Sequence, residues 1–242
     1  RSLAAGGATT VVIDGAHELG GLCILSGCMP TKALLHASEL RHGIEAARVW
    51  GIEAGAVRVD PVRLFARKNA LIQDFAGYRQ RQLSDGRFDL IRHRARFADA
   101  HTLVLEDGSR IRAGHIVVAT GSHVAQVGVP GLDEAGYLTS DDALDLDAVP
   151  DSMIILGGGP VAVEFAQFFA RMGSDVALIQ RGPRLLRDSD PDVAMELEKA
   201  LRREGIAVHT GTALRRVERT AGGRAGVFAG SEEHTSELQS LA

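Results

Sequence analysis

The chain has 242 residues, room for one or two domains with a sizeable core, and its 27 basic against 31 acidic side chains leave a net charge of −4. That balance lacks the positive stripe of a nucleic-acid binder, and 45% hydrophobic with 24% charged residues is the make-up of a folded globular chain, not a disordered one. No apolar run approaches the ~20 residues of a membrane span, and no secretory leader is present, so the expected location is the cytoplasm.

Leu3 to Gly7 read as the end of a helix passing through a glycine cap, so an element is expected upstream. Thr9 to Asp14 is a β-branched apolar run that reads as a buried strand ending on an acid. After Gly20-Gly21 comes a cysteine-bearing segment, then a helix from Thr31 to about Val49, with Pro30 at or just before its first turn, where a missing N–H costs nothing. A Gly-punctuated loop around Trp50 leads to a second long helix, Val62 to Leu83, with Leu64, Leu71, Phe75 and Tyr78 on its apolar face. Phe88 to Phe97, Thr102 to Leu105 and Ile111 to Val118 read as strands, Glu106-Asp107-Gly108-Ser109 as a hairpin turn. Beyond Ala119-Thr120-Gly121-Ser122 the pattern is strand 152–156, helix 161–172 with Val161, Phe165, Phe168 and Met172 inward, strand 175–180, helix 192–203 with Val193, Leu197 and Leu201 inward, and strand 206–209. Such alternation argues an α/β fold. Residues 231–242 are polar and aperiodic, and Ser231 to Ser240 matches a translated sequencing adapter; they are expected to be a non-native tail, leaving 1–230 as an internal piece of a longer product.

Gly157-Gly158-Gly159-Pro160-Val161-Ala162 fits G-x-G-x-x-G/A between a strand and a helix. Gly157 permits the tight turn, Gly159 lets the backbone approach a pyrophosphate, and Ala162 lets helix and strand pack closely, with the helix N-terminus facing the phosphates. At the end of the next strand stands Gln180, where an acid would bind the ribose of NAD, and Arg181, Arg184 and Arg187 follow. A neutral residue followed by cations suits the 2′-phosphate of NADP; an ordinary basic surface loop is the alternative.

The two cysteines, Cys23 and Cys28, lie in GGLCILSGCMPTK, Gly20 to Lys32. They cannot complete a four-cysteine zinc site. Isolated cytosolic cysteines are most often inert hydrophobes, yet these share one Gly-bounded loop at a helix start, where the dipole and Lys32 favour a thiolate.

That segment resembles the redox-active signature of the class I pyridine nucleotide–disulfide oxidoreductases, flavoproteins that include mercuric reductase, dihydrolipoamide dehydrogenase and glutathione reductase. The resemblance runs over about residues 1–230: strand and acid at Asp14, the cysteine pair, Ala119-Thr120-Gly121, and the nicotinamide fingerprint with Glu164. It implies two Rossmann-like dinucleotide-binding domains, both incomplete, with a β-meander insertion: an FAD domain over 1–145 lacking its first β–α unit, and an NAD(P) domain over 146–230. FAD would rest its adenosine ribose on Asp14, with backbone contacts from Ala95, Ala119, Thr120 and Gly121. Cys28 would be the flavin-side thiol and Cys23 the interchange thiol of a redox-active disulfide. Lys32 would pair with Glu164 beside the flavin; a surface salt bridge of little worth is the alternative. Arg181 and Arg187 match the arginines that NADP-using members place around the 2′-phosphate, which favours NADPH over NADH.

The resemblance further implies an enzyme that passes electrons from nicotinamide through flavin to Cys23–Cys28 and on to a small-molecule disulfide or a mercuric ion. Met29-Pro30-Thr31-Lys32 and the arginine pair lean toward the mercuric type. The alternatives are an NAD-dependent dihydrolipoamide dehydrogenase and a non-catalytic nucleotide-binding fragment. The family's dimer-forming C-terminal domain, with its His–Glu acid/base pair, lies beyond this sequence; the intact parent is expected to be a homodimer, and the chain as it stands is expected to bind flavin weakly and catalyse little. His17, His36, His42 and His123 are expected to face solvent, and no metal site is assigned.

Overall fold

The computed structural model describes residues 7, 9–219, 225–230 and 235–239; the helix end expected over Leu3 to Gly7 lies, apart from Gly7, outside the described residues. The chain forms two compact units, one of residues 1–29 and 69–123, the other of 30–68 and 124–242. Both are discontinuous in sequence, whereas the boundary expected at 145/146 is a single cut.

In the first unit, β1 (Val11–Ile13) pairs in parallel with β2 (Asp89–Ile91). Its single neighbour leaves β1 half-buried rather than fully buried. The short helix α1 (Leu22–Leu25) follows. Residues 88–97 are two strands, not one, and they belong to different sheets; between them the Arg92 side chain donates to the carbonyls of Ala16 and His17. Past it, β3 (Ala95–Asp99), β4 (Thr102–Leu105) and β5 (Arg110–Arg112) form an antiparallel meander, closed by the expected turn, in which Gly108 N–H bonds the Leu105 carbonyl at 3.0 Å. The strand expected to run to Val118 stops at Arg112. No described strand lies beside 115–118 to accept its backbone hydrogen bonds, and Val117 and Val118 are 77% and 65% exposed.

Two long helices join the units in sequence. The first, α2 (Cys28–Ala46), begins three residues earlier than expected and is followed by a 3₁₀ turn, Ala47–Trp50. Pro30 therefore sits inside its first turn, where backbone N–H groups have no intrahelical acceptor to lose. The second, α3 (Pro61–Leu83), has its buried positions at Phe65, Lys68 and Ala76, whereas Phe75 and Tyr78, expected inward, are exposed. Lys68 is the unforeseen member: its Nζ donates to the Leu144 carbonyl at 2.6 Å and to Asp145 Oδ1 at 3.1 Å.

The second unit is built on a parallel sheet in the order β6 (Ser152–Leu156), β7 (Asp175–Ile179), β8 (Ala207–His209). The helices α6 (Pro160–Met172) and α7 (Pro191–Arg203) connect its strands, which confirms the α/β reading. Its core joins Leu34 and Phe65 to Phe165, Phe168, Phe169, Leu178 and Leu201. Val161 and Val193, expected inward, are exposed; Val163 and Ala194 take the buried places. Short helices α4 (Leu132–Ala135) and α5 (Ser140–Leu144) precede the sheet, the latter started by a reciprocal Thr139/Asp142 cap.

An antiparallel ribbon was not foreseen: β9 (Ala213–Arg219), β10 (Ala225–Gly230) and β11 (Thr235–Gln239) pair in the order β11-β10-β9. The strand β11 falls within the segment expected to lie outside the fold. Strand addition is made by backbone groups, so an open edge such as that of β10 can take it whatever the side chains are.

Candidate functional site

The glycine-rich turn links β6 to α6. Gly157 takes φ +124°, and a Cβ there would lie 3.7 Å from that of Ala162, the close helix–strand approach read from the sequence. Gly159 is exposed, with nothing within 4 Å of where its Cβ would stand, and it caps α6 without any side-chain hydrogen bond. Space is thus open at the helix N-terminus, where the first-turn N–H groups have no intrahelical acceptors. Gly158, the unspecified position of the motif, is constrained for another reason: a Cβ there would stand 2.8 Å from Gln180 Cγ and 3.0 Å from Leu185 Cδ2. The Gln180 stem lies across the turn, and its amide donates to the Arg184 carbonyl at 3.4 Å. Arg181 and Arg187 are exposed, Arg184 half-buried. Arg184 Nη2 donates to the Arg187 carbonyl at 2.8 Å, and Arg187 Nε lies 3.3 Å from Asp188 Oδ1.

Lys32 and Glu164, 132 residues apart in sequence, meet at 2.5 Å, Nζ to Oε1. Seven residues further along both helices a second contact carries the opposite polarity, Arg171 Nη1 to Glu39 Oε2 at 2.6 Å. Seven residues are about 10 Å of helix and turn the face by only ~20°, so α2 and α6 run alongside each other with two charged rungs. The distal rung is the better built. Arg171 also grips Glu204, the C-cap of α7, with a two-pronged fork at 2.7 and 2.8 Å, and Gln167 donates to the same carboxylate at 2.9 Å. Arg41 donates to the Arg171 carbonyl. Burial pushes the Glu204 carboxyl up, but the hydrogen bond and charge of Arg171, with smaller contributions from Gln167 and His42, hold it below the ordinary glutamate value. The bond to Glu204 likewise raises the Arg171 guanidinium against desolvation. His42, expected to face solvent, is half-buried beside this cluster; His17, His36 and His123 are exposed as expected.

Cys23 and Cys28 are exposed, unbonded thiols. Cys23 is in α1, and Cys28 is the first residue of α2, one turn before Lys32. Gly27 folds the chain back between them: a Cβ there would lie 2.8 Å from the Leu22 carbonyl oxygen and 3.0 Å from Cys23 Cα. In the same unit, the Ala119 to Gly121 segment abuts α1, with a Cβ on Gly121 (φ +74°) reaching to 4.0 Å from Leu22 Cβ. Asp14 follows β1. It accepts from Ala16 N–H at 2.9 Å and lies 3.8 Å from Arg92 Nη1. Ala95 is exposed at the start of β3. The Asp14 carboxylate is partly exposed, and residues Ala119 to Gly121 beside the cysteine segment are exposed. Among the described residues, no group of three or more His, Cys, Asp or Glu is arranged to hold a metal ion, and no helix is long and apolar enough to cross a membrane.

The family description "Pyridine nucleotide-disulphide oxidoreductase" matches residues 1–239. The chain is 39% identical over 220 residues to the mercuric reductase of Streptomyces lividans, an overlap of 88% of this chain and 46% of that protein. It is 34% identical over 225 residues to the dihydrolipoyl dehydrogenase of Bacillus subtilis (strain 168), covering 91% of this chain and 49% of that one. Among solved structures, the Cu(II) complex of the HOCl-induced flavoprotein disulfide reductase RclA from Escherichia coli matches with a TM-score of 0.80 at 27% identity, over 100% of this chain and 51% of that chain. The chain thus spans about half the length of these relatives.

Proposed function

Because the chain belongs to the pyridine nucleotide-disulphide oxidoreductase family, we propose that the whole protein of which it is part acts as an FAD-dependent oxidoreductase that draws electrons from NADPH. It delivers them through Cys23 and Cys28 to a small-molecule disulfide or a mercuric ion. The observation that carries this reading is the Lys32–Glu164 contact of 2.5 Å. It joins the helix that runs on from Cys28 to the helix that follows the glycine-rich turn, and it is one of the two charged contacts between them.

FAD, when bound, supplies two-electron exchange between the nicotinamide and the cysteine pair. Asp14 would hold its ribose; the backbone of Ala95, Ala119, Thr120 and Gly121 would line its edge. Lys32, its ammonium oriented by Glu164, would place a positive charge at the ring. In the oxidised state Cys23 and Cys28 share a disulfide, and two electrons with two protons convert it to two thiols. The Cys23 thiolate then attacks one sulfur of a substrate disulfide and expels the first thiol. Cys28 attacks Cys23 in turn, expelling the second and restoring the internal bond. With a mercuric ion, the same soft thiolates bind the cation that the two electrons reduce. Gly157, Gly159 and Ala162 serve the nicotinamide pyrophosphate, while Arg181 and Arg187 bind the 2′-phosphate, which neutral Gln180 does not repel. The working form is a homodimer, and no histidine of this chain is given an acid/base role.

Anaerobic addition of NADPH to the oxidised, FAD-loaded protein should release two thiols per chain in an Ellman assay, Cys28→Ser should abolish the response, and NADH should act at least about tenfold more slowly. A flavin-loaded protein that yields no thiols overturns the cysteine assignment; equal rates with NADH overturn the arginine assignment.

A further inference from the structure

Among the described residues, Leu186 is the non-glycine residue with a positive φ, +44°. It lies between Arg184 and Arg187, and three hydrogen bonds and one buried side chain hold the loop around it. Leu186 N–H donates to the Gly158 carbonyl at 2.7 Å, the shortest link from this loop to the glycine-rich turn among the backbone bonds described. Leu185 beside it is fully buried. Ser189 N–H returns to the Leu186 carbonyl at 2.8 Å, and the Arg184 carbonyl receives the Gln180 amide. A branched side chain in the left-handed region carries a steric cost, and such a conformation persists only where its surroundings over-determine it.

We propose that Leu186 is a positioning residue that sets nucleotide specificity: its latch onto Gly158 fixes the 181–189 loop against the glycine-rich turn, so that the arginines meet a 2′-phosphate while the turn holds the pyrophosphate. This rests on the NADPH reading given above. The latch joins the two phosphate-binding segments through one backbone bond, which makes the arginine loop pre-organised before nucleotide arrives. Loosening it therefore weakens binding of the 2′-phosphorylated nucleotide and leaves the unphosphorylated one nearly unchanged.

The test is a series at this position that varies the ease of the left-handed conformation: Leu186→Gly (free), Leu186→Asn (tolerated), the wild type, and Leu186→Val (strongly disfavoured). Calorimetric Kd values for NADP⁺ and NAD⁺ are measured for each, together with hydrogen exchange of the residue-186 amide as a direct reading of the latch. The NADP⁺/NAD⁺ preference should follow that order, with Val losing roughly tenfold and Gly and Asn retaining the wild-type ratio or exceeding it; amide protection should fall in Val alone. A preference that is flat across the series, or one that tracks side-chain apolarity so that Val matches Leu while Gly and Asn fail, overturns the latch. A wild type that binds NAD⁺ as tightly as NADP⁺ instead overturns the NADPH reading, and the latch as a specificity device with it.

Discussion

Arg171→Met tests the distal rung between α2 and α6. Methionine keeps most of the aliphatic stem and removes the guanidinium. The Arg171 side chain is 11% exposed and that of Glu204 17%, while Glu39 is 68% exposed. The Glu39 contact is therefore solvent-screened and contributes about 0–1 kcal/mol. The fork to Glu204 is largely sheltered, and its loss leaves a carboxylate with Gln167 as the remaining described hydrogen-bond donor, at 2.9 Å. Hydrogen bonds to charged groups in such a setting contribute about 1.5–3 kcal/mol, so the variant should lose about 2–4 kcal/mol at neutral pH. The sign with pH follows from Glu204, whose folded-state value is depressed below that of free glutamate. Its stabilising contribution is full above the unfolded-state value, near 4.3, and is lost as pH falls through the lower folded-state value. The raised Arg171 value adds stability that is complete at every pH below its unfolded value. Urea melts should be followed by far-UV circular dichroism, since Trp50 is 83% exposed and reports weakly by fluorescence. The gap between variant and wild type should be widest at neutral pH and shrink in acid. A difference below about 0.5 kcal/mol, or one that does not narrow as Glu204 is protonated, refutes the argument.

Two further substitutions separate space from packing and test a helix start. Gly159→Val places its side chain in open space, so it should block dinucleotide binding in calorimetry while changing stability by about 1 kcal/mol or less; Gly158→Ala drives a Cβ into the Gln180 stem and Leu185 and should destabilise by about 1–3 kcal/mol, and the opposite pattern would reverse the roles given to the two glycines. Asp190 caps α7 by accepting from Asp192 N–H at 2.9 Å, with Pro191 in the first turn, so Asp190→Ala should cost about 1 kcal/mol in the same urea melts, and an unchanged midpoint would show that the cap contributes nothing.

What the sequence disclosed was local in sequence, and what it hid was supplied by a distant backbone. The glycine-rich turn and the hairpin at 106–109 each depend on residues within a few positions of one another, so their chemistry is legible without a fold. The inward faces of α3, α6 and α7 were harder. Val161, Phe75, Tyr78 and Val193 are apolar at helical spacing yet exposed, because periodicity gives an apolar stripe without saying which edge of it meets a neighbour. Strand limits failed for the same reason: residues 115–118 are as apolar as β6, but a strand exists only where a second backbone takes its hydrogen bonds.

The site divides along the same line. Lys32 and Glu164 were paired only through resemblance to a family, and nothing local in the sequence announces the Glu39–Arg171 rung, whose members are as far apart in the chain as the first pair. Once one rung is placed, however, the second follows from arithmetic: equal steps of seven on two helices that run side by side return to nearly the same face, and the only charged residues seven beyond Lys32 and Glu164 are Glu39 and Arg171, of opposite sign. Gly158 and Leu186 yield to no such step. One is glycine because Gln180 lies over it, the other strained because Gly158 offers it a carbonyl, and neither cause can be read until the chain has folded.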